Sequence, residues 1–205
     1  FLYYEMKSKS NSDIYYGMSC GNYSNLVAGL YGWRLSMPVK GFICPSTTEL
    51  DVDPLGFCTI PDDMVPFEKR EKADPASPSN LERLEDIFSR DSIMLRHFVY
   101  PQKISDSEAD EACRELFIKY QIYADKNTAS AYASIKKKSE ILDEDCAAVL
   151  IERDDPSLSN SYVQHTIGEA CEMGENVKTA LTKNEIKKES IREVKQLINI
   201  MNSLL

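Results

Sequence analysis

With 205 residues, a net charge of −9 and a pI near 4.9, the chain lacks the surplus of lysine and arginine that nucleic-acid phosphates demand. No apolar run reaches the ~20 residues of a membrane helix. Nucleic acid and a direct membrane span are therefore not expected. The hydrophobic share of 42% and the charged share of 28% are those of a folded protein.

Residues 1–78 hold most of the prolines and glycines and many tyrosines, with little helical periodicity. They read as an irregular, extended arm with one short helix near residues 24–35, where SNLVAGLYGWRL clusters its apolar positions. Pro38 to Pro66 is too often interrupted for a long helix. Such an arm is expected to lie across its own helical half or a partner. Residues 69–79 (KREKADPASPS) are charged and rich in Pro and Ser, and mark a linker with a domain boundary near residue 78.

From residue 79 to 205 the pattern predicts a helical bundle. Ser79 or Asn80 caps a helix bearing Leu81, Leu84, Ile87 and Phe88, running on to a stop near Tyr100 because Pro101 follows. Ser105 and Glu108 form a capping box ahead of Ala109, Ala112, Cys113, Leu116, Phe117 and Tyr120, an amphipathic stripe. Asn127 caps the next helix, with Tyr132, Ile135 and Leu142 inward and Lys136 to Lys138 outward. Asp143 or Asp145 opens a short one with Cys146, Val149 and Leu150. Ser159 or Ser161 opens another through Cys171 to about Gly174. Thr182 with Glu185 forms a second capping box before Ile186, Val194, Leu197, Ile198, Met201 and Leu205. The fold class expected is mainly α: a C-terminal bundle of about five to seven helices behind an extended arm.

The six cysteines, 20, 44, 58, 113, 146 and 171, form no CxxC pair and no Cys/His cluster. An even count suits disulfides, and short loops close most easily. The pairs expected are Cys44–Cys58, Cys146–Cys171 and Cys20–Cys113; buried free thiols are the alternative. The chain begins at Phe1, which leads us to expect a processed form or a fragment. These features lead to an oxidising compartment (secreted, lumenal or periplasmic), with an organellar one as the alternative. Asn22-Tyr23-Ser24 is a glycosylation sequon.

Asp51 to Asp62 resembles an EF-hand calcium loop, with oxygen ligands at loop positions one, three, nine and twelve and a glycine at six. Leu55 and Asp62 depart from that pattern, and Pro54 and Pro61 constrain it. His97 and His165 lie in no nucleophile motif, and no P-loop, GxGxxG or GxSxG occurs. No catalytic residue, metal ligand or cofactor is therefore expected. Three functions remain open: a non-catalytic subunit of a larger protein assembly, a secreted or lumenal disulfide-stapled binding domain for an unknown ligand, and an enzyme whose site is dispersed along the chain.

Overall fold

A computed structural model describes residues 13–37, 39–59, 80–87, 96–139, 146–183 and 194–204. The chain forms two compact units, Phe1–Glu172 and Met173–Leu205. The first is built on a four-stranded parallel sheet, which overturns the expectation of a mainly helical bundle. Its strands are β1 (Asp13–Gly17), β2 (Gly41–Pro45), β5 (Val99–Gln102) and β6 (Cys146–Leu150), in the order β5-β2-β1-β6. Residues expected to form an arm thus supply two of the four strands, β1 and β2.

The register is continuous. Tyr15 pairs with Gly41, Phe42 with Val99, and Asp13 with Cys146. Parallel neighbours need crossovers, and these carry the helices to the two faces of the sheet. Helix α1 (Ser24–Arg34) links β1 to β2 and buries Leu26, Val27 and Leu30. It meets Ile14 and Tyr16 of β1 and Phe42 and Cys44 of β2 in one core cluster. Alternate residues of β1 face the other way: a Cβ on Gly17 would stand 2.2 Å from the Ile135 side chain of α4 (Lys126–Ser139). Helix α3 (Asp106–Tyr120) packs on α4 and contributes Cys113 and Leu116 to a second cluster with Ala124 and Ala129.

A two-stranded hairpin, β3 (Asp51–Val52) with β4 (Cys58–Thr59), follows β2. Helix α2 (Leu81–Ile87) lies against α1. After β6 a short 3-10 turn (Pro156–Ser159) leads into α5 (Asn160–Ile167), which Gly168 ends at φ 84°. The second unit contains α6 (Glu175–Thr182) and α7 (Val194–Leu204). Among the described residues no helix is long and apolar enough to cross a membrane.

One predicted helix proves to be a strand, and the expected end of another, which is helical over Leu81–Ile87, lies in a strand. Tyr100 and Pro101 lie in β5, at an edge of the described sheet, where proline withholds no needed donor. Cys146, Val149 and Leu150 lie in β6, because a short apolar run serves a parallel strand as well as a helix. The linker expected over 69–79 lies outside the described residues but for its neighbour Asn80, as do Leu142 and the capping box of Thr182 and Glu185 at its glutamate.

The Ser105–Glu108 capping box is present, with the Glu108 amide donating to Ser105 Oγ and the Ser105 amide to Glu108 Oε2 at 2.7 Å. The Ser105 amide, then its hydroxyl, then Lys137 hold the Glu108 carboxyl down at about 2. A carboxyl depressed on folding stabilises the folded state above its unfolded value and loses that contribution as pH falls towards 2. Glu108→Gln should therefore flatten the decline of melting temperature between about pH 4.5 and pH 2, read by circular dichroism at a series of pH values.

Candidate functional site

Parallel α/β sheets bind ligands beyond the carboxyl ends of their strands, where the strand order reverses. Here the chain leaves β1 towards β2 and β5, then returns to place β6 on the other flank of β1. The switch point lies between β1 and β6. Two loops meet there: Met18 to Tyr23 after β1, and Ile151 to Asp155 after β6.

The first loop is tightly tied. The Met18 amide donates to Ile43 O and the Ile151 amide to Gly17 O, extending the sheet on both sides. Tyr23 then sits at φ 61°, left-handed, as the residue before α1. Asn22 Oδ1 accepts from the Ser24 amide and hydroxyl, and Asn22 O accepts from the Asn80 amide and Nδ2. This turn aims the start of α1 at the switch point. Helix starts present free amide donors and a partial positive charge, the ordinary preference of an anion.

Three side-chain features reinforce that preference. Ser19 is 5% exposed and its hydroxyl has no hydrogen-bond partner among the described residues. Buried hydroxyls are normally satisfied, and this one has a hydrogen bond still to make. Gly21 lacks a side chain where Arg153 Nη1 approaches to 3.5 Å of its would-be Cβ. Among the described residues, Arg153 pairs through Nε with Asp154, at 3.3 Å. The opposing charge comes from Glu152, whose carboxyl is raised by burial and then by Asp125 and Asp155. Asp155 is already engaged, accepting from the Ser157 amide and hydroxyl.

The residues singled out from sequence lie mostly elsewhere. None of the six cysteines is in a disulfide, so none of the expected pairs forms. Cys20 and Cys113 belong to different core clusters, which keeps that pair apart. Cys44 meets Cys20 instead of bonding to Cys58, and hydrogen bonding to Cys20 followed by burial pushes its thiol well up. Burial likewise raises Cys58. Cys113 Sγ donates to Ala124 O at 3.4 Å. Cys146 is in β6, and the Cys171 amide donates to Asn160. These thiols pack as small apolar groups. We expect all six to react with a thiol reagent in denaturant without prior reduction, counted by absorbance or intact mass.

Of the calcium-like loop, Asp51 binds Lys103 at 3.1 Å, and Asp53 accepts from the Leu55 and Phe57 amides at 2.9 Å. Those carboxylates fold a hairpin, and no metal-binding cluster occurs among the described residues. His97 and His165 are both exposed, and neither lies in the two loops at the switch point.

The sequence reading missed Ser19, Gly21 and Arg153, and took Asn22 only as a glycosylation candidate. The signal available was Gly21-Asn22 directly ahead of a helix, after an apolar stretch that is β1.

The geometry defines a parallel α/β protein with a helix start, the Ser19 hydroxyl and Arg153 gathered around its carboxyl edge. Comparison narrows the class. The chain is 30% identical over 138 residues to a threonine synthase of Buchnera aphidicola subsp. Baizongia pistaciae (strain Bp), covering 65% of this chain and 31% of that protein. It is 26% identical over 132 residues to a threonine synthase of Buchnera aphidicola subsp. Acyrthosiphon pisum (strain APS), covering 64% and 30%. The chain thus spans about a third of the length of these relatives. Among solved structures, threonine synthase from Escherichia coli superposes with a TM-score of 0.60 at 18% identity, over 96% of this chain and 45% of that one. The pyridoxal-phosphate-bound threonine synthase from Brucella melitensis gives 0.55 at 12% identity, over 98% and 49%. No protein-family model matches the chain. The two structures share the fold. The relatives in sequence are enzymes, which overturns the expectation of a non-catalytic, disulfide-bonded assembly subunit.

Proposed function

We propose that this chain forms part of a pyridoxal-phosphate-dependent enzyme of the threonine synthase type, and that the turn between β1 and α1 grips the cofactor's phosphate. The observation that carries the reading is the convergence on one turn of a helix start, an unpartnered buried hydroxyl at Ser19 and the Arg153 guanidinium on Gly21. This donor set fits a phosphate: amides and a hydroxyl suit its oxygens, and an arginine fork suits its charge.

When bound, the cofactor supplies an electron sink for carbanion chemistry at the substrate. The chain's own contribution is positional. The α1 amides and the Ser19 hydroxyl would hold phosphate oxygens, Arg153 would balance their charge, and bare backbone at Gly21 leaves room for close approach. Burial of Ser19 keeps bulk water from competing for that hydrogen bond. Anchoring the phosphate fixes one end of the cofactor, so that groups around its ring act on a substrate held in one orientation.

The test is titration of the whole protein with pyridoxal phosphate, followed by absorbance and by the phosphorus resonance of the bound group. Inorganic phosphate should compete. Binding of pyridoxal with the same affinity as its phosphate ester would overturn the assignment of the turn.

A further inference from the structure

The turn that opens α1 is held by a contact that no main-chain hydrogen bond explains. Tyr23 is 2% exposed, and its side chain reaches across to the loop that follows β2. Its hydroxyl donates to Glu49 Oε2 at 2.7 Å and lies 2.6 Å from Thr47 Oγ1, which is left to act as donor to the phenol oxygen. Thr47 in turn closes its own turn, accepting from the Glu49 and Leu50 amides, while the Thr47 amide donates to Leu50 O. Leu50 is fully buried in the α1-side core and anchors that turn.

We infer that Tyr23 and Glu49 form a latch that presets the anion-accepting turn, with Tyr23 a positioning residue for the phosphate. This rests on the functional reading above. The physical argument starts from the backbone. A tyrosine at φ 61° and ψ 1° is in a conformation that L-residues with side chains avoid. It persists only where the surroundings hold it. A phenylalanine ring would supply the packing but not the hydrogen bonds. The phenol adds a charge-assisted bond to a carboxylate, and Glu49 is held below its usual range first by that bond and then by Thr48. The carboxylate does not face the phosphate site directly. It acts through the ring of Tyr23 on the direction of the amides that begin α1. The carboxyl ends of β1 and β2 are thereby clasped to each other on the side of β1 away from β6.

The test compares Tyr23→Phe, Glu49→Ala and Glu49→Gln in the whole protein, with pyridoxal phosphate and inorganic phosphate as separate probes. Y23F and E49A should each weaken both probes by about tenfold, the usual worth of a hydrogen bond to a charged group. E49Q should bind close to the parent, because its amide oxygen still accepts from the phenol. The double variant Y23F/E49A should be no weaker than Y23F alone, since the phenol–carboxylate bond is already absent in each single variant. The bound phosphorus resonance should shift in Y23F and E49A but not in E49Q. That rescue separates positioning from general destabilisation. If Y23F does not fold, the E49A against E49Q comparison decides. A parent that binds neither probe overturns the functional reading and the latch with it. A parent that binds, with Y23F and E49A equal to it, overturns the latch alone.

Discussion

Arg153→Met is expected to weaken pyridoxal phosphate binding by about ten- to a hundredfold, the loss of a charge-assisted bond to a phosphate oxygen. Methionine keeps the length and the apolar stem, so the change isolates the guanidinium. Arg153→Lys should recover part of the loss, since an ammonium retains charge but not the planar fork. Two structural facts set the size of the effect. The Nη1 end lies against bare backbone at Gly21, so a phosphate approaches without a side chain between. The Nε end is occupied by Asp154, which fixes the group before ligand arrives. Arg153 is partly exposed, so the difference between parent and variant should shrink as salt is raised. Equilibrium titration at two ionic strengths measures both quantities. A variant that binds as the parent does would place the phosphate away from the loop after β6.

Phe42→Ala should be the most damaging single truncation in the sheet. The ring is fully buried among Tyr16, Cys44 and the α1 residues, and lies 6.3 Å from the Tyr16 ring. Removing such a side chain leaves a cavity and costs about 3–5 kcal/mol. For a chain of this size, that lowers the melting temperature by about 10 °C. The companion change is Gly29→Ala. In the parent, a Cβ there would stand 2.5 Å from Phe42 Cε1. The added methyl overpacks the contact, although alanine favours the helix by about 1 kcal/mol. Within Phe42→Ala the same methyl enters vacated space and should restore part of the loss. The sign of G29A thus reverses between the two backgrounds, which differential scanning calorimetry would read directly.

Much of the helical structure is legible from local pattern. Ser105 and Glu108 announce α3, and the apolar run after Tyr23 announces α1, because a cap and a periodic face are properties of neighbouring residues. The sheet is not legible in this way. CAAVL of β6 and GFICP of β2 carry no alternation, since parallel strands are covered on both faces. Gly17 and Gly41 carry no side chain that would mark a strand, yet they let Ile135 and Tyr100 approach the sheet closely. Pro101 reads as a helix stop, yet it sits in an edge strand. The candidate site was hidden for a related reason. Gly21 and Arg153 come together only because β6 lies beside β1, a pairing that no spacing in the chain records. The cysteines misled by their even number; Cys20, Cys44, Cys58 and Cys113 are small buried side chains in the fold, and Cys146 and Cys171 are partly exposed.

The placement of β6 beside β1 also governs how the molecule is made. On the ribosome, β1, α1 and β2 emerge before β6, so the partner for one whole flank of β1 is absent until Cys146 to Leu150 is synthesised. Until then β1 offers a flank of unpaired backbone to any other nascent strand. Parallel pairing between distant segments is intrinsically slow. Chains stopped short of Cys146 should accumulate as aggregates, and holdase chaperones should engage the chain most strongly in the interval between the synthesis of β2 and that of β6.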